Sequence, residues 1–183
     1  GRGTGARGAE FEKCTYLKLG DLESKDQAEA ALWLGKQSYV DASRIGIWGW
    51  SFGGFMSSNC LFQKGDIFKM AIAVAPVTNW RFYDTIYTER FMRTPQENAK
   101  GYDENSPLFH AAKLKGKYLL IHGSADDNVH VQNAMVLINT LVSLQKDFDW
   151  LIYPDKNHGI YDNTGSTRYQ LYTKMTNFII ENL

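Results

Sequence analysis

The chain has 183 residues, 44% hydrophobic and 14% aromatic, which supplies one sizeable core and sets it apart from disordered chains. Twenty basic residues cancel twenty acidic ones, which argues against binding of nucleic acid or an anionic membrane driven by net charge. The longest apolar run, Met70 to Val77, is far shorter than the roughly 20 residues that span a bilayer, and Cys14 and Cys60 have no metal-ligand spacing, so the sequence calls for no metal or other cofactor.

The chain opens on Gly3-Thr4-Gly5-Ala6-Arg7-Gly8, a G-x-G-x-x-G match. No strand precedes it within the chain and no helix is expected to open on its last glycine, so a dinucleotide site is set aside. Helical apolar spacing follows over 22–35, then a short apolar strand over 44–48, a helix over 52–63 and a strand over 69–77. The stretch 78–117 is aromatic and charged, with Pro95 and Pro107, and reads as short helices and loops of the kind that carry binding residues. A strand over 118–122, a helix over 131–144, a strand over 147–153 and a helix over 167–183 complete the alternation. Strands alternating with helices predict an α/β chain built on a parallel sheet with right-handed crossovers, and no linker or repeat divides residues 1–183 into further domains.

The segment Gly49-Trp50-Ser51-Phe52-Gly53 lies between a predicted strand and a predicted helix, the context that a G-x-S-x-G nucleophile elbow requires. Glycines at 49 and 53 are expected where strand and helix must approach closely. The turn would hold Ser51 at a helix N-terminus, where free N–H groups favour a developing oxyanion, and the backbone N–H of Phe52 is the natural donor.

A serine hydroxyl needs a base to take its proton, and the base needs a carboxylate to hold its tautomer. His122-Gly-Ser-Ala-Asp126-Asp127-Asn128 and Asp155-Lys-Asn-His158 each follow a predicted strand, where α/β sheets place their sites. Structural roles suit His110, His122 and His130 better, which leaves His158 as the base. Spacing alone does not separate Asp126 from Asp127; one would orient the base and the other cap the local helix.

These motifs, with Val-Ala-Pro-Val at 74–77, Tyr-Asp-Thr-Ile-Tyr-Thr-Glu-Arg-Phe at 83–91 and His-Gly-Ser-Ala-Asp-Asp-Asn-Val-His at 122–130, resemble the dipeptidyl peptidase IV family, bacterial relatives included. The resemblance runs over nearly the whole chain. It implies the C-terminal part of an α/β-hydrolase catalytic domain, with Ser51, Asp126 and His158 as the triad, so that Asp126 orients the base. It implies a serine exopeptidase acting on peptides with an N-terminal Xaa-Pro, or less well Xaa-Ala, through an acyl-enzyme. Trp50, Val77, Trp80, Tyr83, Tyr87 and Val129 would serve the substrate site, and Asn128 would bond the carbonyl before the proline. Tyr83 and Tyr87, four apart, would share one helix face and wall the proline slot.

The resemblance also implies that a second oxyanion donor, the ammonium-binding glutamates and a β-propeller lie outside this sequence, and that the protein works outside the cytoplasm, in the periplasm of a bacterium. A central strand with an open side is further expected to favour self-association into a homo-oligomer. Two other readings are a tripeptidyl or acylaminoacyl peptidase with the same triad, and an inactive binding relative, against which the intact Ser51, Asp126 and His158 argue.

Overall fold

A computed structural model describes residues 1–183. Four strands, β1 (Gly46–Trp50), β2 (Met70–Val74), β3 (Lys117–Gly123) and β4 (Asp149–Tyr153), form one sheet in that spatial order, every neighbouring pair parallel. Parallel strands need crossovers, and the helices supply them. After α1 (Ala9–Lys13) and α2 (Asp21–Leu34), α3 (Phe52–Gln63) joins β1 to β2. The short helices α4 (Thr85–Met92), α5 (Ala99–Glu104) and α6 (Pro107–His110) lie between β2 and β3, α7 (Gln132–Ser143) lies between β3 and β4, and α8 (Ser166–Asn182) closes the chain.

Successive side chains of a strand face opposite ways, and here each face has its own core. Ala71 and Ala73 of β2 with Tyr118 and Leu120 of β3 pack among α2, α3 and α7. Met70, Ile72 and Val74, with Leu119 and Ile121, meet Leu171, Met175 and Phe178 of α8. Burial on both faces explains why β2 and β3 read as continuous apolar runs. The α3 helix is buried from Gly54 to Phe62. Its polar positions are paired: Ser57 Oγ donates to the Ile72 carbonyl at 3.0 Å, Ser58 Oγ bonds Tyr118 Oη at 2.8 Å, and Asn59 Nδ2 donates to the Asn105 carbonyl at 3.0 Å.

Three details differ from the sequence expectations. Strand β1 runs two residues later than 44–48, because the Asp41 carboxylate accepts bonds from the Ser43 amide and from Arg44 Nε and holds Arg44 in a turn. Strand β2 stops at Val74, where Ala75 takes a φ of 46° before Pro76. A helix does open directly on Gly8, but α1 has only five residues and no strand precedes it.

Candidate active site

Strand β1 delivers Ser51 to the start of α3 in a conformation few L residues adopt, φ 60° and ψ −120°. Strained backbone of this kind persists where the surroundings enforce it. The Ser51 amide donates to the Val74 carbonyl at 2.8 Å, and the Ser51 carbonyl accepts from Phe55 at 3.0 Å. A Cβ on Gly49 would lie 2.2 Å from the Gly53 carbonyl oxygen, so only glycine fits there. Gly53 differs from expectation, since a Cβ on it would meet nothing within 4 Å; the second crowded position is Gly54, against the Val74 carbonyl at 2.9 Å. Phe52 is the first residue of α3, so its N–H has no partner within the helix.

The loop after β3 carries the carboxylate. Asp126 is buried, and its Oδ1 accepts from the amides of Asn128 at 2.9 Å and Val129 at 2.8 Å. Its Oδ2 lies 2.8 Å from His158 Nδ1 and 3.1 Å from His122 Nε2. Burial alone would raise the Asp126 pKa, yet the bonds from His122 and His158 outweigh it and hold the carboxyl well below the usual carboxylate range. Asp127 is exposed and makes no capping bond; Asp126 itself holds the turn.

The loop after β4 carries His158, whose side chain is 21% exposed. Its position is fixed through the backbone, because the Trp50 indole Nε1 donates to the His158 carbonyl at 2.9 Å and Arg168 Nε and Nη2 donate to the Gly159 carbonyl at 3.1 and 3.0 Å. The Arg168 guanidinium also lies 5.7 Å from the Trp50 ring centre. The His158 ring bonds Asp126 through Nδ1, and the Ser51 hydroxyl makes no hydrogen bond to it.

On the α3 side, Trp80 is fully buried at the centre of an aromatic cluster, 5.7 Å from the Tyr87 ring in a stack and 5.9 Å from both Tyr83 and Phe52. Val77 and Val129 are buried in the same core. Tyr83 and Tyr87 meet edge to face at 5.4 Å, though not as a helical pair. Tyr83 is extended and precedes α4, whose N-cap Asp84 accepts from the Tyr87 amide at 2.8 Å and folds the turn that brings the rings together. Tyr83 Oη donates to Asn128 Oδ1 at 2.6 Å, which leaves the Asn128 NH₂ to donate elsewhere. Burial raises the pKa of both tyrosines, so each keeps its hydroxyl proton. A cleft of about 710 Å³ runs from Phe52, Tyr87 and Phe91 to Arg2, Tyr16 and Leu19, a volume in the range of small-ligand sites.

Trp50 stands apart from this cluster. Its ring packs on the α8 side of the sheet, and its N–H is occupied by His158, so it touches the loop of the base and not the tyrosines. The sequence reading missed the contacts of His122 with Asp126 and Val129. A signal was present, because His122 is a polar residue on the face of β3 that also carries Tyr118 and Leu120.

A parallel sheet with a serine elbow after one strand and an acid and a histidine after two later ones is the catalytic half of an α/β-hydrolase sheet. The model of the prolyl oligopeptidase family matches residues 1–183. A crystal structure of Porphyromonas gingivalis dipeptidyl peptidase 4 superposes with a TM-score of 0.97 at 56% identity, covering 100% of this chain and 26% of that one. Among curated proteins, the "Probable dipeptidyl-aminopeptidase B" of Arthroderma benhamiae is 50% identical over 165 residues, 88% of this chain and 18% of the relative. That of Aspergillus terreus is 45% identical over 183 residues, 98% of this chain and 20% of the relative. The chain therefore belongs to the prolyl oligopeptidase family of serine peptidases, and it spans about a fifth of the length of the curated relatives it matches.

Proposed function

We propose that this chain supplies the nucleophile, base and acid of a serine exopeptidase that releases dipeptides with proline or alanine second from the free N-terminus of peptides. The observation that carries the reading is the 2.8 Å contact of buried Asp126 with His158 Nδ1, on a loop tied to the serine elbow through Trp50. Asp126 would keep the proton on Nδ1, leaving Nε2 to take the Ser51 proton as Oγ attacks the scissile carbonyl. The oxyanion would form against the Phe52 amide. His158 would then give the proton to the leaving amine, and water activated by the same imidazole would release the dipeptide from Ser51. Trp80, Tyr83 and Tyr87 would hold the proline ring, and the free Asn128 NH₂ would donate to the carbonyl before it.

In the full-length protein, Ser51→Ala is expected to abolish labelling by an active-site phosphonate and to reduce turnover of a glycyl-prolyl amide by about 10⁶. Tyr87→Ala is expected to harm that amide more than a small activated ester. Retained labelling in the alanine variant would remove Ser51 from the role. Work outside the cytoplasm and self-association are part of the same proposal. No helix is long and apolar enough to cross a membrane.

A further inference from the structure

A second imidazole touches the Asp126 carboxylate and has no part in the mechanism above. His122, near the end of β3, is fully buried. Its Nε2 lies 2.8 Å from the Val129 carbonyl oxygen and 3.1 Å from Asp126 Oδ2, while its Nδ1 is buried without a hydrogen-bond partner. A proton on Nδ1 would be a buried donor with no acceptor, and Nε2 faces two oxygens, so the ring carries its proton on Nε2. The Val129 amide in turn donates to Asp126 Oδ1 at 2.8 Å. A closed circuit results: Asp126 holds the Val129 amide, the Val129 carbonyl holds His122, and the same imidazole edge borders Asp126 on the oxygen that faces His158.

A plain core role would not require this chemistry. The alternate positions on this face of β3, Tyr118 and Leu120, are filled by side chains that pack among α2, α3 and α7, and a leucine at 122 could fill the same space. It would leave the buried Val129 carbonyl unpaired and Asp126 Oδ2 with one donor fewer. We infer that His122 is a positioning residue whose Nε2–H fixes both the Asp126 carboxylate and the Val129 wall of the substrate slot, and so limits the negative charge that Asp126 presents to His158. The inference rests on the serine-peptidase reading above. The titratable groups about the carboxylate are His122, His158 and, from the turn before α4, Tyr83; Asp127 and His130 of its own loop are exposed.

The test is kcat/KM against pH for a glycyl-prolyl amide in the full-length protein, with His122→Leu, His122→Asn and His122→Gln. Without the donor, the Asp126–His158 pair binds a proton more readily, so the acid limb of the profile moves to higher pH. A displacement of about half a unit to one unit lowers kcat/KM roughly three- to tenfold at a fixed pH on that limb, with KM little changed. Asn, whose amide matches Nδ1 and stops short of both oxygens, is expected to behave as Leu if Leu does not fold. Gln, whose amide reaches the Nε2 position, is expected to restore the wild-type limb. An unmoved acid limb in the Leu or Asn variant, or a Gln variant that fails to restore it, would reduce His122 to core filling. Turnover surviving Ser51→Ala would instead sink the serine-peptidase reading, a separate result.

Discussion

The Trp50 indole and the His158 carbonyl are 108 residues apart in sequence and 2.9 Å apart in space, so the strand that presents Ser51 also holds the loop that presents His158. Coupling of this kind fixes the distance between groups on separate elements, and in the proposed mechanism their orientation is a large part of catalysis. Trp50→Phe keeps an aromatic ring, though a smaller one, and loses the N–H. A net loss of about 0.5–1.5 kcal/mol predicts a fall of roughly two- to thirteenfold in kcat, with KM little changed. Steady-state kinetics on a dipeptide amide decide it; an unaltered kcat would show that the Arg168 bonds hold the loop unaided.

The two glycines that flank the serine should answer substitution in opposite ways. Gly49→Ala drives a methyl into the Gly53 carbonyl, backbone against backbone, so the variant is expected to lose the elbow and most soluble folded protein. Gly53→Ala meets open space in a helix, where alanine is favoured by up to about 1 kcal/mol. Melting temperatures and soluble yield compare them, and equal tolerance at both sites would refute the crowding argument.

Asp126 ties stability to pH. Its carboxyl is held below the usual range in the fold, so the stability it contributes is present above the unfolded value of about 4 and is lost as pH falls through the folded one. Asp126→Asn should therefore flatten the decline of Tm between about pH 4 and pH 2. The same exchange disturbs the His158 tautomer, for which a kcat loss of about 10⁴ is expected. Parallel Tm curves for wild type and variant would place the acid sensitivity elsewhere.

Burial pushes the Cys60 thiol up to about 12, so it remains protonated and shielded at neutral pH. Iodoacetamide at pH 8 is expected to spare it in native protein and to label it after denaturation, as read by peptide mass mapping. Native labelling at Cys60 would mean that α3 opens readily.

The alternation of strands and helices was legible because apolar runs and helical spacing are local properties. The start of β1 lies two residues later than expected since Asp41 stabilises a turn that apolar counting does not register. At the site, the order of Ser51, Asp126 and His158 past strand ends could be read from spacing, but the choice between Asp126 and Asp127 could not. Both sit in one loop, and only the fold reveals that one points inward with four donors about it and the other to solvent. The tyrosine pair misled by its interval of four, which suggested a helix face where an Asp84-capped turn makes the contact. Trp50 was grouped with the substrate residues through the family resemblance. Alternation along β1 sends its ring to the opposite side of the sheet.

All four strands being parallel also carries a consequence for how the molecule comes into being. No two neighbouring strands can close as a hairpin, so every pairing waits for a long intervening segment, and sheets of this kind form slowly. His158 rides on the loop after β4, the last of these four strands in chain order, and meets Asp126 only once that strand has docked on β3. Until then nothing holds His158 near Ser51 or Asp126, so the proposed triad exists only in the completed sheet.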